Sequence, residues 1–325
     1  LDGAHNNLGN ALVTLGKISE AIESYRKAIH LKPDLVDAHN SLGNALNKQG
    51  QPGTAIASFH EAIRLNPGFA IAHYNLGISL KELGREDEAI DSYRNAIRLN
   101  PNHADAHGNL GNILQDRGLL DESITEFREV LRINPDYTEA HYNLGNSLKD
   151  QGRLDDSVAS FRDAMKLDPR HAKAHNNLLL TEQYREGASA DRLKELHAEF
   201  ETLHGVPLRD EWRDFKNIAD ENKTLRVGFV SADLGTHPVG YFVTQLLENS
   251  PKSGFEFICY TDRAPDALTD RFKAATHSWV DIRNDSDEEL ASRIRSDGID
   301  VLIDLSVIPV TTGSSSSPAN RLRFR

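Results

Sequence analysis

The stretch HNSLGNALNKQGQPGTAIASFHEAIRLNP (residues 39–67) contains the features that decide the fold. Its Leu-Gly pair, Leu42–Gly43, is followed twelve residues after the Gly by Ala55, and four residues later by Phe59. Pro67 closes the stretch. Small residues let two helices approach closely, the aromatic ring fills the gap between neighbouring hairpins, and Pro stops or starts a helix where the chain turns. The stretch therefore predicts one helical hairpin.

The same pattern recurs with a period of 34 residues. A fixed period of this length is the signature of stacked helical repeats, which bury a continuous core between neighbours and leave a concave surface lined by the first helix of each pair. We predict a mainly α solenoid over residues 1–185, with five full repeats and a sixth first helix. The Leu-Gly pairs begin at Leu8, Leu42, Leu76, Leu110 and Leu144.

Composition narrows the classes of partner. The chain has 37 Lys plus Arg against 49 Asp plus Glu, a net charge of −12, which argues against nucleic acid or an anionic membrane as the main partner. Cys259 is the single cysteine, so no disulfide framework can form. The sequence has no apolar run of about 18 residues and no signal-peptide pattern. We expect a cytoplasmic protein.

Asn recurs along the first helices at two registers three residues apart, and therefore on one helix face. Asn is a mediocre helix former, so its repeated use needs another role. A side-chain amide offers a donor and an acceptor, the complement of one peptide group. Rows of Asn can thus hold an extended polypeptide by its backbone; the alternative is that they bond one another or water. The candidate peptide-binding residues are Asn7, Asn10, Asn44, Asn75, Asn109, Asn112, Asn143, Asn146 and Asn177.

His also recurs, once at the start of each repeat. A metal array is one interpretation, but equivalent helices lie at least about 8–10 Å apart, whereas two imidazoles sharing zinc must each reach it at about 2.0–2.1 Å. We therefore expect no metal and interpret the series as packing residues at helix–helix contacts. Its members are His5, His39, His73, His107, His141 and His175.

The pattern changes after the repeats. Residues 186–224 are charged and helical in pattern and predict a helical linker. Residues 225–306 alternate strand and helix, with strands at 225–231, 255–260, 277–282 and 299–305 and helices around 237–250, 264–275 and 286–297. This alternation predicts a parallel sheet, the start of a Rossmann-like α/β domain.

The loop after the first predicted strand is the place where such sheets bind ligands. Asp233, Gly235, His237 and Pro238 cluster there. His237 precedes Pro238 at a helix N-terminus, where the positive end of the helix dipole favours a neutral imidazole. Such a group suits proton handling or holding a phosphate oxygen; the alternative is a structural His. A G-x-G-x-x-G fingerprint is missing, which disfavours a nucleotide-dependent oxidoreductase.

Repeats with AHxNLGN units, followed by LRVGFVSADLGTHPVGYF (225–242) and DGIDVLIDL (297–305), resemble the O-linked N-acetylglucosamine transferase family in its bacterial form. The resemblance covers tetratricopeptide repeats and part of a GT-B catalytic region, residues 2 to about 306. It implies inverting transfer of N-acetylglucosamine from UDP-GlcNAc to Ser or Thr of proteins guided through the Asn-lined groove. It also implies that His237 is the active-site His and Asp233 part of its motif, and that Tyr241 stands where other members carry a second His.

The resemblance further implies a second lobe that holds the UDP moiety and that these 325 residues lack. We therefore expect the chain to be inactive alone, with no cofactor of its own. The competing interpretation is a non-catalytic repeat scaffold that binds peptides, and UDP-hexosamine binding would separate the two. The sequence leaves open the acceptor proteins and whether the solenoid forms a homodimer.

The last segment, VIPVTTGSSSSPANRLRFR (307–325), is Ser-rich and broken by Pro. Back-translated and read one base out of register, its codons permit GHTGDNRLLVFARKPAPV. The resemblance predicts a strand-end loop, a helix and a Pro-Ala-Pro segment at this point. We expect a frameshifted, disordered tail rather than a genuine flexible linker.

Overall fold

The computed structural model describes residues 1–207, 222–251 and 253–305. Contacts divide the chain into two compact units, Leu1–Leu196 and the residues from His197 onward. The first is a helical solenoid and the second contains a parallel sheet, so the predicted fold class is confirmed. The predicted tail, 307–325, lies outside the described residues.

The solenoid consists of five helical hairpins and an unpaired helix. Each first helix has 13 residues and each second helix 14, which fixes the stacking period. A further helix, Ala190–Phe200, follows and continues into a π-helical turn at Glu201–Gly205. The helices are α1 (Asp2–Thr14), α2 (Ile18–Leu31), α3 (Val36–Lys48), α4 (Pro52–Leu65), α5 (Ala70–Glu82), α6 (Glu86–Leu99), α7 (Ala104–Asp116), α8 (Leu120–Ile133), α9 (Thr138–Asp150), α10 (Leu154–Leu167), α11 (Ala172–Tyr184) and α12 (Ala190–Phe200).

The Leu-Gly pair and the aromatic residue meet inside each hairpin. A Cβ on Gly43 would lie 2.5 Å from Cε1 of Phe59, so only glycine allows α3 and α4 to pack this closely. The Phe59 ring is fully buried as a result. A second glycine makes the turn: Gly50 has φ +77°, the left-handed conformation that ends a helix at little cost for glycine.

The first helices form one layer of the solenoid and contact one another, α1 with α3, α3 with α5, α7 with α9 and α9 with α11. The second helices form the other layer and pack against the first helix of the next hairpin. The Asn residues of the predicted ladder lie on the first-helix layer. The ladder therefore runs from hairpin to hairpin along that layer.

The second unit has four parallel strands in the order β3-β2-β1-β4. After β1 the chain adds two strands on one side and then returns to the other side of β1. Its elements are β1 (Leu225–Val230), α13 (Pro238–Asn249), β2 (Phe255–Thr261), α14 (Thr269–Ala275), β3 (Ser278–Asp281), α15 (Asp287–Ser296) and β4 (Val301–Asp304).

Both faces of the sheet are covered. Val227, Phe229 and Cys259 point to one face, where they pack against α13 and α14. Val230 and Tyr260 point to the other and pack against α15. The strands are therefore apolar on both faces, as is typical of a parallel sheet buried between helices.

One predicted helix begins later than expected. The sequence predicted a helix over 264–275, but α14 begins at Thr269. The Asp266 N–H donates to the Thr269 hydroxyl, and the Asp266 carboxylate accepts from the Leu268 N–H. These side chains build a turn that replaces the first helical turn.

Candidate functional site

The Asn ladder divides into buried and accessible members. Asn75, Asn146 and Asn177 are at most 8% exposed, and each amide bonds to an Asn side chain of a neighbouring first helix. Asn177 Nδ2 donates to Asn146 Oδ1 at 2.7 Å, and Asn75 Nδ2 donates to Oδ1 of Asn40 at 2.9 Å. These bonds join neighbouring hairpins through buried amides. The sequence reasoning missed Asn40, which lies one position before the predicted register.

The remaining ladder residues are at least partly accessible to solvent. Asn7 and Asn10 are exposed, with Asn10 accepting from the Tyr25 hydroxyl at 2.8 Å. Asn44 is half-buried, as are the three residues at the centre of the solenoid, Asn109, Asn112 and Asn143. The candidate peptide-binding surface therefore rests on these accessible amides rather than on the buried ones.

The pair Asn112–Asn143 bridges α7 and α9. Asn143 Nδ2 donates to Asn112 Oδ1 at 3.1 Å, which fixes the orientation of both amides. Within the described part of the chain, the structure gives no protein donor to Asn143 Oδ1 and no protein acceptor for Asn112 Nδ2. The pair thus presents one acceptor and a donor group toward the groove. A peptide group of an extended chain offers the complementary two.

A cavity of about 310 Å³ opens beside this pair. Its floor contains Phe127 and Val130 of α8, and Gly108 of α7 lies against it without a side chain. The sequence of one repeat alone does not predict this cavity, because side chains of the neighbouring hairpins also line it. Its lining residues are Tyr74, Ala104, Asp105, Gly108, Asn109, Asn112, Phe127, Val130, Tyr137, Glu139, Ala140 and Asn143.

The recurrent His has a role that the sequence reasoning missed. His39 Nε2 donates to the Pro33 carbonyl at 2.8 Å, and His141 Nε2 donates to that of Pro135 at 2.9 Å. His73 and His107 repeat the bond. Each of these His residues therefore ties the start of a first helix to the turn before it. Within the described residues, no group of three or more His, Cys, Asp and Glu is arranged to hold a metal ion.

His107 differs from the rest because its Nδ1 also lies 2.5 Å from Oε2 of Glu126. Burial disfavours the charged imidazole, but the bonds to Glu126 and to the Pro101 carbonyl outweigh it and raise the pKa of His107. At His73, which has no such carboxylate, burial lowers the pKa. The pKa shifts at these two equivalent positions therefore have opposite signs.

The predicted catalytic loop follows β1 at the point where the strand order reverses, between β1 and β4. In open parallel sheets this point, at the carboxyl ends of the strands, is where ligands bind. Ser231 is buried and its hydroxyl accepts from the Asp233 N–H at 2.9 Å. The loop is thereby anchored to the end of the sheet.

His237 is the N-cap of α13. Its Nδ1 accepts from the Val239 N–H at 3.3 Å, and Pro238 occupies the first helical position. In this tautomer the proton lies on Nε2. The Asp233 Oδ1 atom is 3.8 Å from Nδ1, beyond hydrogen-bond distance. The structure thus brings the two predicted catalytic side chains next to each other without joining them.

Asp266 holds the loop from outside and was missed by the sequence reasoning. Its carboxylate accepts from the Thr236 N–H at 2.6 Å and from Arg263 Nε at 3.0 Å. The bond from Thr236, followed by those from Leu268 and Arg263, lowers the pKa of Asp266 to about 2. No local pattern links residue 266 to a loop thirty residues earlier.

Two glycines let the loop fold back on the helix. A Cβ on Gly240 would collide with the Gly235 carbonyl oxygen, and a Cβ on Gly235 would collide with the Asp266 carboxylate and the Arg263 side chain. The first turn of α13 therefore packs directly on the loop backbone. Gly235 is in this way a structural member of the predicted motif.

A cavity in this unit lies away from the loop. A volume of about 140 Å³ lies beside Phe257 and His277, near the amino ends of β2 and β3, whereas His237 follows the carboxyl end of β1. On α13 itself, Tyr241 and Phe242 are exposed. Within the described residues, no helix is long and apolar enough to cross a membrane.

Family models match both units of the chain. Models described as TPR repeat match residues 9–50, 43–84 and 111–152, and models described as tetratricopeptide repeat match 70–103, 92–125 and 138–171. The model of glycosyl transferase family 41 matches residues 163–314. The two kinds of match together cover the solenoid and the sheet.

Curated plant proteins are similar over a shorter span. The "Probable UDP-N-acetylglucosamine--peptide N-acetylglucosaminyltransferase SPINDLY" of Petunia hybrida is 29% identical over 133 residues, 39% of this chain and 14% of that protein. The protein SEC of Arabidopsis thaliana, described in the same words, is 38% identical over 86 residues, 26% of this chain and 9% of that protein. The chain thus matches about one seventh or less of the length of these relatives.

Solved structures are similar in fold. An O-GlcNAc transferase mutant of Thermobaculum terrenum has a TM-score of 0.50 at 26% identity, covering 83% of this chain and 45% of that one. YrrB, described as a TPR protein with an unusual peptide-binding site, has a TM-score of 0.51 at 23% identity, covering 58% of this chain and 98% of that one.

The order of the matches along the chain is that of the resemblance drawn from the sequence motifs, with repeats first and the family 41 region after them. The relatives and the Thermobaculum structure carry the same enzyme class in their names. The chain therefore contains tetratricopeptide repeats followed by a region similar to glycosyl transferase family 41, which is the order of regions in the O-linked N-acetylglucosamine transferase family that it resembles.

Proposed function

We propose that the chain binds an extended acceptor polypeptide along the first-helix layer of the solenoid and belongs to a protein O-GlcNAc transferase. In this proposal the repeats hold the acceptor by its backbone, and the loop after β1 contributes to transfer of N-acetylglucosamine from UDP-GlcNAc to a Ser or Thr hydroxyl. The oriented pair Asn112–Asn143 is the observation that carries it.

Backbone recognition is favoured because the same kind of group, a side-chain amide, recurs in successive repeats. Amides at Asn7, Asn44 and Asn109 recur along one layer at the registers of the 34-residue repeat, whereas the charged residues along that layer vary in sign. A repeating neutral amide complements the one feature that every polypeptide repeats, its peptide groups. The groove therefore accepts many sequences.

The loop offers two chemical roles, set by the tautomer of His237. With the proton on Nε2, the imidazole donates to an oxygen of the acceptor or of the donor phosphate. If the Nδ1 site takes the proton instead, it gives up the Val239 cap, turns toward Asp233 and leaves Nε2 as a base for the acceptor hydroxyl. Asp233 is the positioning residue in this second arrangement.

Peptide binding is tested by fluorescence anisotropy with a labelled, extended peptide containing Ser and Thr. The double variant Asn112→Ala/Asn143→Ala removes two hydrogen-bonding amides, each worth about 0.5–1.5 kcal/mol, so we expect affinity to fall about fivefold or more. Helical circular dichroism checks that the solenoid is still folded. Unchanged affinity would overturn the proposal.

Asn95→Ala is the matched control. Asn95 is also half-buried and helical, but it lies on α6, in the second-helix layer, where it accepts only a long bond from Arg98 at 3.4 Å. This variant makes the same chemical change outside the groove. We expect it to bind the peptide as the unsubstituted chain does.

A non-catalytic scaffold is the second candidate, favoured by where the cavities lie. A cavity of about 310 Å³ lies beside the Asn residues of the first-helix layer, and one of about 140 Å³ in the sheet unit lies away from His237. We propose that the 325 residues on their own do not turn over UDP-GlcNAc. Isothermal titration with UDP-GlcNAc tests this: no heat of binding, with peptide binding intact, is the expected result. Donor binding with transfer to the peptide would refute it.

A further inference from the structure

The cavity beside Gly108 exists because one ring is missing from a regular series. In the third repeat the Tyr74 ring packs on His103 of the next turn, with ring centroids 4.5 Å apart. In the fifth repeat Tyr142 packs on His171 in the same way, at 5.0 Å. The fourth repeat has Gly108 at the position of these tyrosines, 34 residues after the first and 34 before the second.

The partner of the missing ring is still present. Tyr137 occupies the position of His103 and His171, and within the described residues no other aromatic ring packs against it. Its side chain is 37% exposed as a consequence. An unpacked aromatic face beside an open cavity is a binding surface for a flat group, because stacking removes apolar area of both partners from water.

The rim of the cavity is acidic. Asp105 is exposed and, within the described residues, forms no ion pair. Its carboxylate adds to the effect of burial in raising the pKa of the nearby Tyr74 hydroxyl. Glu139 accepts from His171 Nε2 at 3.3 Å, a bond that lowers the pKa of this carboxyl, so it is ionised at neutral pH. None of the described lining residues is Lys, Arg or His.

The size of the cavity fits one long side chain. About 310 Å³ is the space of roughly ten waters, each of which takes about 30 Å³ in the liquid. The cavity opens next to the pair Asn112–Asn143, so a backbone held by that pair can direct one side chain into it. The acidic rim and the tyrosine face together favour a group that is both flat and cationic.

We propose that the Gly108 cavity is a specificity pocket for an arginine side chain of the bound polypeptide. The guanidinium stacks on the Tyr137 ring and its N–H groups reach the Asp105 and Glu139 carboxylates. Lysine lacks the flat group, and an apolar side chain leaves the carboxylates unpaired. This inference rests on the proposed peptide-binding function and adds a sequence preference to it.

The test uses the 325-residue chain and labelled peptides that are identical except for one central residue, Arg, Lys, Leu, Phe or Ala. We expect the Arg peptide to bind about tenfold more tightly than the Ala peptide. Gly108→Tyr restores the ring of the repeat series, fills the pocket and removes this advantage. Gly108→Ala is the control: its Cβ would meet only Val130 Cγ2, at 3.8 Å, so the pocket stays open and the advantage remains.

The outcomes separate the two proposals. Equal binding of all five peptides, or an Arg advantage that persists in Gly108→Tyr, overturns the pocket and leaves the backbone groove standing. Tighter binding of the Leu or Phe peptide than of the Arg peptide overturns the cationic occupant. If no peptide binds, the proposed function fails and the pocket with it. Asp105→Asn, which keeps the shape of the rim, should reduce the Arg advantage without affecting the Ala peptide.

Discussion

The packing of α3 on α4 makes a strong prediction for Gly43→Ala. The new Cβ would lie 2.5 Å from Phe59 Cε1 and 2.7 Å from Cζ, well inside the roughly 3.5–4.0 Å of favourable carbon contacts. The Phe59 ring is fully buried and has no space to move into. Such overpacking costs about 1–3 kcal/mol, against a gain of about 1 kcal/mol when alanine replaces glycine in a helix.

Gly108→Ala is the reference variant, because it makes the same substitution in a helix without overpacking, and the difference between the two variants gives the overpacking cost at Gly43. At Gly108 the nearest atom to a new Cβ is Val130 Cγ2 at 3.8 Å, an ordinary contact, so only the helical gain remains. Urea unfolding followed by helical circular dichroism should therefore place Gly43→Ala about 1–3 kcal/mol below Gly108→Ala in the free energy of unfolding. In a Phe59→Leu background, where the two ring atoms are gone, the cost at Gly43 should largely disappear. Equal stability of the two alanine variants, or a cost at Gly43 that persists in the Phe59→Leu background, would show that the Phe59 ring does not exclude a Cβ at Gly43.

Three further predictions concern other parts of the chain. Because the pKa of His107 is raised in the folded state, its contribution to stability is fully present below the unfolded pKa of about 6.5 and is lost as pH rises through the folded pKa. Glu126→Gln should therefore flatten the pH dependence of the urea midpoint above about pH 6.5, and an unchanged slope would contradict this. Burial raises the pKa of the Cys259 thiol to about 12. Ellman's reagent at neutral pH should therefore label this thiol only after denaturant is added. Fast labelling of the folded chain would show that the sheet core is open. Gly240→Ala would place a Cβ against the Gly235 carbonyl oxygen and should destabilise the α/β unit by about 3 kcal/mol or more. Thermal unfolding should show that the repeats keep their helicity while the α/β unit unfolds at a lower temperature. Wild-type stability of this variant would rule out the close approach of Gly240 to Gly235.

The repeat architecture was predictable because its determinants are local. Each hairpin carries its own Leu-Gly pair, aromatic residue and Pro, so five copies of one signal report the same structure. The parallel sheet was predictable for a similar reason, since short apolar runs alternating with helical segments leave few arrangements. The late start of α14 was not, because it depends on side-chain bonds of Asp266 and Thr269 that compete with the helix.

The sites were predictable only in outline. The sequence placed Asn on the first helices, but burial decides which amides are accessible, and the bond from Asn75 to Asn40 joins residues 35 positions apart. The Gly108 cavity depends on Tyr74 and Tyr137 from the neighbouring repeats. Contacts between hairpins are absent from any single repeat, so the same motif can be structural in one copy and open in the next.

Recognition of the peptide backbone by the Asn residues can be measured with an N-methylated peptide. A labelled peptide is compared with an analogue of the same sequence in which alternate backbone N–H groups are methylated, so that donors are lost while side chains are kept. Anisotropy should show binding at least about fivefold weaker for the analogue, because two or more hydrogen bonds are lost. The Asn112→Ala/Asn143→Ala chain should discriminate less between the two peptides. Equal affinity of both peptides for the unsubstituted chain would show that the Asn residues do not bind the peptide backbone.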